Sequence, residues 1–177
     1  MTLNIRKAEA KDIDAIADIY AAIHTAEEQG LVTIGWQRGV YPEKETALEA
    51  LKRDDLFVAE KDGNIVGSAI LNQQQVDVYA DGNWEYKVPD NKVMVMHTLV
   101  IDPKGQKSGL GKAFVEFYEK YSLEQGCPYL RMDTNAKNTN ARNLYKKLGY
   151  KEIGIVPCAF NGIDGVNLVL LEKKIGN

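Results

Sequence analysis

One stretch near the middle of the chain limits the possible folds more than any other feature. The apolar run over residues 93–102 predicts a buried strand, and Pro103 closes it because proline cannot donate a hydrogen bond to a sheet ladder. Apolar residues then recur at helical spacing over residues 110–126, and residues 129–134 predict another strand. A helix that links two strands in this way usually makes a right-handed crossover, so we expect the two strands to be parallel.

The other segments predict hairpins and additional helices around this unit. The Asp62-Gly63 step between two apolar runs supplies the positive φ angles that a tight hairpin turn needs. Residues 73–91 are polar and favour a long connection. The whole pattern predicts an α/β fold with a mixed, mostly antiparallel sheet and helices on both faces. The predicted strands are residues 2–8, 56–60, 65–71, 93–102, 129–134, 150–156 and 166–173, and the predicted helices are residues 12–30, 45–53, 110–126 and 141–148.

The charge balance of the chain excludes several classes of partner. Its 22 Lys and Arg residues face 25 Asp and Glu residues, and a net charge of -3 provides no positive field for nucleic acid or an acidic membrane. The longest apolar run, residues 93–101, is much shorter than the roughly 20 residues that cross a bilayer. The first residues lack the apolar core of a signal peptide. We therefore expect a cytoplasmic protein with a small neutral or cationic partner.

Chain length and cysteine content limit the architecture further. The 177 residues are expected to form one domain over residues 1–177. Cys127 and Cys158 lie far apart and belong to no CxxC pair or histidine cluster, so neither zinc nor another metal is predicted. We expect both cysteines to be free thiols that behave as buried apolar residues.

The loop between the central strand and the long helix carries the strongest functional signal. The first amides of a helix have no partner within the helix and lie at the positive end of its dipole, so they bind phosphate oxygens. Glycines at positions 109 and 111 would let a phosphate approach the main chain. The loop reads Asp102-Pro103-Lys104-Gly105-Gln106-Lys107-Ser108-Gly109-Leu110-Gly111-Lys112.

Two common phosphate-binding motifs do not fit this loop. A P-loop requires a second glycine where this chain has Leu110 and a hydroxyl residue where it has Ala113. A dinucleotide fingerprint requires a third glycine where Phe114 stands. What remains is a Q-x-x-G-x-G pattern, whose fixed positions are Gln106, Gly109 and Gly111.

A second motif lies on the short helix that follows. It reads Asn138-x-x-Ala141-x-x-x-Tyr145-x-Lys147-x-Gly149-Tyr150. The two motifs and the order of the elements resemble the GNAT superfamily of acyl-CoA N-acyltransferases over nearly the whole chain. The resemblance implies acetyl-CoA as acyl donor and a parallel pair of strands that splay apart around its pantetheine arm. Further residues resemble a bacterial branch of uncharacterised GNAT proteins: Trp36, Tyr41, Pro42, His97, Leu171, Glu172 and Lys173.

The resemblance also assigns residues to the donor. The main chain at residues 99–101 and the side chain of Asn138 would bond to the pantetheine arm, and the diphosphate would lie on the amides of residues 106–111. Lys107 or Lys112 would add charge, and Ser108 is a candidate N-cap of the helix. The predicted donor-binding residues are Leu99, Val100, Ile101, Gln106, Lys107, Ser108, Gly109, Leu110, Gly111, Lys112, Asn138 and Tyr145.

Acid–base chemistry defines the remaining roles. An amine with a pKa near 10 must lose a proton before it attacks, and a thiolate with a pKa near 8.5 must gain one as it leaves. The resemblance gives the second role to Tyr145 and gives stabilisation of the oxyanion to an amide of Leu99 or Val100. The general base is left open between three candidates, acting directly or through water: His97, Glu85 and Asp133.

Each of these side chains also has a purely structural interpretation. Tyr145 lies on the apolar stripe of its helix, His97 fits a hydrogen-bonded core histidine, and Asp133 fits the cap of a turn. Glu85 is expected to be exposed. Three aromatic residues in loops would either line the acceptor pocket or cover the core: Trp36, Tyr41 and Trp84.

The expected function is transfer of an acetyl group to a primary amine of a small molecule, amino acid or peptide by direct attack, without a metal. The alternative is a catalytically silent protein that binds or senses acyl-CoA. Both a monomer and a homodimer are considered, because residues 166–173 are interpreted as an edge strand that could pair with a second copy.

Overall fold

The computed structural model describes residues 3–105 and 108–176, which form four α-helices and seven strands. The helices are α1 (Ile13–Glu28), α2 (Lys44–Lys52), α3 (Leu110–Glu124) and α4 (Thr139–Lys147). The strands are β1 (Leu3–Lys7), β2 (Leu56–Lys61), β3 (Asn64–Asn72), β4 (Val93–Ile101), β5 (Tyr129–Asn135), β6 (Lys151–Phe160) and β7 (Ile163–Lys174). Apolar side chains at helical spacing explain α1, in which Ile16 and Ile23 are buried completely against the sheet.

The seven strands form one sheet in the order β1-β2-β3-β4-β5-β7-β6. Neighbouring strands are antiparallel except for β4 and β5, which are parallel, as the crossover through α3 predicts. The predicted mixed, mostly antiparallel sheet is therefore confirmed. The prediction of an edge strand over residues 166–173 is wrong, because β7 lies between β5 and β6 and pairs with both. The edge strand at this end of the sheet is β6, and β1 forms the opposite edge.

The parallel strands pair over only part of their length. Residues 93–96 of β4 pair with residues 129–132 of β5, and the two strands then diverge. The divergence begins at a bulge in β4, where the register with β3 shifts and Thr98 has a φ of 50°. Within the described part of the chain, residues 97–101 and 133–135 have no partner across this gap. The predicted splayed pair is therefore confirmed.

Helices cover both faces of the sheet. The α1 and α2 helices pack on one face against Leu56 and Val58, whereas α3 and α4 pack on the other face against Phe57 and Ala59. This alternation follows from the two-residue period of a strand. A third apolar cluster around Tyr79 covers the C-terminal strands on the α1 face.

Several local predictions can be compared with the structure. Asp62 and Gly63 have φ angles of 51° and 81°, as the predicted hairpin turn requires. In α2 the fully buried residues are Ala47 and Ala50, whereas Leu48 is half-buried. Within residues 3–105 and 108–176, no helix combines the length and the apolar character needed to span a membrane.

Candidate active site

A cavity of about 610 Å³ occupies the gap between the diverging ends of β4 and β5. Its lining residues come from elements on both faces of the sheet, including α1 on one face and α3 and α4 on the other. The part named the α3-side half is lined by Leu99, Val100, Ile101, Gly109, Leu110, Gly111, Lys112, Asn138 and Tyr145. The part named the α1-side half is lined by Ile23, Ile34, Trp36, Tyr41, Val76, His97, Asp133, Phe160, Ile163, Val166 and Leu168.

The N-terminus of α3 opens into the α3-side half without a side-chain cap. Gly109 takes the N-cap position with a φ of 83°, a conformation that favours glycine, and no described side chain bonds to the first turn. A Cβ on Gly109 would have no atom within 4 Å, so the space before the helix is open. The first amides of α3 therefore remain available to an anion. The predicted contacts of Gln106 and Lys107 lie outside the described residues.

Other residues of the loop have more specific roles than the sequence suggested. The assignment of Ser108 as N-cap is wrong, because its hydroxyl donates to the carbonyl oxygen of Gly105. A Cβ on Gly111 would lie 3.1 Å from Cδ2 of Leu144, so this glycine also lets α3 pack closely on α4. Lys112 is exposed and lines the cavity, and its ammonium group lies 3.8 Å from the carboxylate of Glu116.

Main-chain groups and one amide side chain continue this surface into the gap. Leu99, Val100 and Ile101 line the cavity along the part of β4 that has no partner in β5. Asn138 caps α4 because its Oδ1 atom accepts a hydrogen bond of 3.2 Å from the amide of Ala141. The Nδ2 group of Asn138 makes no hydrogen bond to the described residues, so it is available as a hydrogen-bond donor at the wall of the cavity.

Tyr145 lies on α4 and is only 6% exposed, yet it lines the cavity. Its ring packs edge-on against Tyr150 with 6.1 Å between the ring centroids. The Tyr145 hydroxyl makes no hydrogen bond within the described part of the chain. Burial raises the pKa of Tyr145, and the charge of Asp133 raises it further, so the phenol keeps its proton at neutral pH.

Asp133 supplies a carboxylate to the α1-side half. The side chain is half-buried, and its Oδ2 atom accepts a hydrogen bond of 2.7 Å from the Tyr79 hydroxyl. Burial raises the pKa of Asp133 to about 6, against the opposite effect of this hydrogen bond. The turn after β5 is capped by Asn135, whose Oδ1 atom accepts from the Lys137 amide. Asp133 therefore lines the cavity and is not the cap of this turn.

His97 is held at the cavity wall by a chain of hydrogen bonds. Its Nε2 atom lies 2.8 Å from Oδ1 of Asn72, whose Nδ2 atom donates to Asp55 over 2.8 Å. Because the amide of Asn72 presents its oxygen to His97, the imidazole must carry its proton on Nε2. Burial lowers the pKa of His97 to about 4, so this side chain is neutral at physiological pH.

Aromatic side chains form much of the α1-side wall. Trp36 and Tyr41 come from the connection between α1 and α2, and their rings meet edge to face at 6.1 Å. Tyr41 is tied to the bulge of β4 by a hydrogen bond between its hydroxyl and that of Thr98. Phe160 comes from the tip of the β6–β7 hairpin. Of the two interpretations of Trp36 and Tyr41, the structure therefore supports the one in which they line the pocket.

Two other residues considered for the site lie elsewhere. Trp84 is buried beside Tyr79, with the guanidinium of Arg131 over its ring at 4.2 Å. Glu85 is exposed and pairs with Lys151 at 3.1 Å. Neither Trp84 nor Glu85 lines the cavity, so Glu85 is not placed to accept a proton there.

Apart from Trp36, sequence patterns did not reveal the walls formed by residues 32–36 and 160–163. The first segment is held because the carboxylate of Glu27 accepts hydrogen bonds from the amides of Ile34 and Gly35, at 2.9 and 2.7 Å. A Cβ on Gly35 would clash with the side chain of Asn135, so glycine brings this segment against β5. Gly35 and the Asn161-Gly162 turn were the available signals, but neither indicates a position in space.

The fold and the cavity together define a class of protein. Seven strands in this order, with a parallel central pair that separates around a cavity beside an uncapped helix, form the fold of the GNAT acyltransferases. The acetyltransferase (GNAT) family model matches residues 14–150, and the chain therefore belongs to that family. The resemblance stated from the two motifs is confirmed. In residues 3–105 and 108–176, no group of three His, Cys, Asp or Glu side chains could hold a metal ion.

Several known proteins are similar to this chain. Mycothiol acetyltransferase from Acidothermus cellulolyticus is 28% identical over 101 residues, which are 57% of this chain and 31% of that protein. The chain thus spans about a third of the length of this curated relative. A GNAT-family acetyltransferase from Streptococcus agalactiae has a TM-score of 0.79 and 24% identity, and the match covers 99% of this chain and 96% of that one. A Salmonella typhimurium protein whose structure includes its cofactor acetyl-CoA has a TM-score of 0.71 and 18% identity, over 100% and 96% of the two chains.

Replacing the Asp133 carboxylate is expected to stabilise the protein at high pH. Because the pKa of Asp133 is raised to about 6, from near 3.9 in an unfolded chain, the folded state binds this proton more tightly. The ionised carboxylate therefore destabilises the fold above pH 6, and this effect disappears as the pH falls below about 4. We expect Asp133→Asn to raise the free energy of unfolding by roughly 2 kcal/mol at pH 8 and by almost nothing at pH 4.

Denaturant unfolding of the parent and the variant at the two pH values measures this difference. Asp164→Asn is the matched control, because Asp164 is exposed and does not line the cavity. An equal loss of stability at both pH values in Asp133→Asn would show that the carboxylate is not held at an unfavourable site.

Proposed function

We propose that the protein transfers an acetyl group from acetyl-CoA to a primary amine of a small molecule, an amino acid or a peptide. The amine attacks the thioester directly, with no acetylated side chain between donor and acceptor. One observation carries the proposal: a single cavity joins the uncapped end of α3 to the carboxylate of Asp133 through the gap in the sheet. Membership of the acetyltransferase family supports this donor.

The α3-side half suits coenzyme A in shape and in hydrogen-bonding groups. The first amides of α3 and the ammonium group of Lys112 would hold the diphosphate, and Gln106 and Lys107 belong to the same proposed loop. The main chain at residues 99–101, which pairs with β3 over residues 100–101 but not with β5, and Nδ2 of Asn138 would bond to the amides of the pantetheine arm. When bound, acetyl-CoA supplies an acetyl thioester at the gap between the strands. An amide of Leu99 or Val100 would stabilise the oxyanion there.

Tyr145 would act as the general acid. Its raised pKa keeps the phenol protonated, so the hydroxyl can donate to the sulfur that leaves as a thiolate. Its position on α4, beside the donor loop and under the influence of Asp133, supports this role. Packing against Tyr150 fixes the ring, so the structural and catalytic interpretations of Tyr145 are compatible.

Asp133 would accept the proton of the amine. Transfer from an ammonium with a pKa near 10 to a group with a pKa of about 6 is unfavourable by about 5 kcal/mol in water, and the apolar walls lower the pKa of a bound amine and reduce this difference. His97, with a pKa of about 4, is a weaker base by about two units, or roughly 3 kcal/mol. The energetic comparison therefore favours Asp133.

Binding of coenzyme A tests the donor site directly. At 100 times its dissociation constant, a ligand adds about 2.7 kcal/mol to stability, which corresponds to a melting-temperature rise of roughly 5–10 °C for a domain of this size. We expect CoA to produce this shift and NAD or ATP to produce none. Gly111→Asp should abolish the shift, because it places a negative charge in the first turn of α3.

Gly111→Asn is the matched control for this experiment. It introduces a side chain of the same shape and the same Cβ contact with Leu144, but no charge. It should retain most of the shift with CoA. Equal shifts with CoA, NAD and ATP would mean that the loop binds phosphate without selecting the donor. A shift with CoA but no acetylation of any amine would favour the silent acyl-CoA-binding protein.

A further inference from the structure

The charges around the α1-side half define a narrower class of acceptor. On the basis of the proposed acetyl transfer, we infer that the acceptor is a small primary amine with an uncharged, mostly apolar body and no carboxylate near the amine. Free amino acids and the N-termini of peptides are then poor acceptors. The inference rests on the charged groups, the walls and the enclosure of this half of the cavity.

Among the described residues, Asp133 is the charged side chain that lines the α1-side half. Its carboxylate attracts an ammonium group, but an α-carboxylate next to that ammonium would approach Asp133 as a second negative charge. A site for amino acids needs a cation at this point, commonly an arginine that binds the carboxylate with two hydrogen bonds. His97 does not provide this cation, because its lowered pKa keeps it neutral.

The nearest arginine on the same strand is turned away from the cavity. Arg131 lies two residues before Asp133, but its guanidinium stacks on Trp84 and donates to Gln75 and to the carbonyl oxygen of Tyr86. These contacts use both terminal nitrogens of Arg131, and the residue does not line the cavity. Arg131 is therefore held by its contacts in the core and does not reach a carboxylate of the substrate.

The walls favour an apolar body on the amine. Trp36, Tyr41 and Phe160 present aromatic surface, and Val76, Ile163 and Val166 present aliphatic surface. Aromatic faces also attract an ammonium group, in addition to its attraction to Asp133. A second cation on the substrate would find no second carboxylate among the described residues of this half, because Glu43, Glu45 and Glu49 line a separate cavity that shares only Tyr41, Val76 and His97 with it. The walls therefore favour a monoamine over a diamine.

Contacts between segments limit the size of the acceptor. The connection that carries Tyr41 meets the hairpin that carries Phe160, because a Cβ on Gly162 would lie only 3.2 Å from Cγ1 of Val40. Gly35 similarly lies against Asn135. A polypeptide entering beside its own N-terminus would have to separate one of these contacts, whereas a small amine would not.

Four acceptors that share the same phenyl group but differ beside the amine test the inference. The compounds are 2-phenylethylamine, phenylalaninamide, phenylalanine and a short peptide with N-terminal phenylalanine, and the readout is kcat/KM for release of the CoA thiol. We expect 2-phenylethylamine to be the best acceptor and phenylalanine to be at least 100-fold poorer than phenylalaninamide, which has the same size but no carboxylate. The kcat/KM for pentylamine should likewise be higher than that for 1,5-diaminopentane.

The ratio of kcat/KM for phenylalaninamide to kcat/KM for phenylalanine shows which charge discriminates against a substrate carboxylate. In Asp133→Asn the overall rate falls, but the ratio, with kcat/KM calculated on the concentration of neutral amine, should decrease to less than about 10 because the repulsion of the carboxylate is removed. In Asp164→Asn, which removes an exposed carboxylate outside the cavity, the ratio should stay above 100. An unchanged ratio in Asp133→Asn would contradict the role given to this charge.

The outcomes separate this inference from the proposed function. If phenylalanine reacts within tenfold of its amide, or if the peptide is the best acceptor, the acceptor class is wrong but acetyl transfer stands. If CoA binds and no compound of the set is acetylated, the acceptor class is also wrong. If CoA produces no thermal shift and no acetylation occurs, the proposed function fails and the inference fails with it.

Discussion

Replacement of Tyr145 by phenylalanine is expected to lower kcat for acetyl transfer at least about 100-fold, the usual contribution of a positioned general acid. Phenylalanine retains the ring that packs against Tyr150 but removes the hydroxyl that donates to the departing thiolate. The dissociation constant for CoA should change little, because the diphosphate is bound by the first turn of α3. Steady-state release of the CoA thiol and calorimetric titration with CoA measure the two quantities separately.

Tyr150→Phe is the matched control for this substitution. Tyr150 is buried beside Tyr145, but its hydroxyl donates to Glu119 at 2.9 Å and it does not line the cavity. We expect this variant to lose about 1 kcal/mol of stability and to keep kcat within about threefold of the parent. A parental kcat in Tyr145→Phe would mean that Tyr145 is a packing residue and that the thiolate is protonated from another source.

Local patterns predicted most of the fold because the elements are encoded by short-range periodicity. The stripe of apolar residues along α3 and the Asp62-Gly63 turn each determine their structure within a few residues. The place of β7 in the sheet could not be read in the same way. Its position between β5 and β6 depends on pairing with residues 129–135, about 40 positions earlier in the chain, which no local pattern encodes.

The candidate site was predictable only where its residues follow one another in sequence. The loop over residues 102–112 and Tyr145 lie in continuous motifs, so their resemblance to a family was visible in the sequence. The choice among His97, Glu85 and Asp133 depended on contacts that no local pattern encodes. Asp133 is bound by Tyr79, which is 54 residues away, and His97 is bound by Asn72, which is 25 residues away. Burial then shifts the pKa of each group, and burial is a property of the assembled fold.

The pH dependence of the reaction is expected to identify Asp133 as the general base. Because the pKa of Asp133 is about 6, kcat/KM of the parent should rise tenfold per pH unit below 6 and level off above it. Asp133→Asn should lower the plateau value of kcat/KM by about 100-fold or more and abolish the rise below pH 6, which we call the limb. Only amine that is already neutral in solution can then react, so kcat/KM should rise continuously between pH 7 and 9.

His97, the competing candidate for the general base, predicts a different pH dependence of kcat/KM. If His97, with its pKa of about 4, accepted the proton, the parent would already be on its plateau at pH 5. His97→Gln tests this directly, because glutamine can still donate to Oδ1 of Asn72 but cannot accept a proton. The limb near pH 6 should persist in that variant if Asp133 is the base. A parent that is already on its plateau at pH 5, together with loss of the plateau rate in His97→Gln, would assign the role to His97 and would leave Asp133 only to attract the ammonium group.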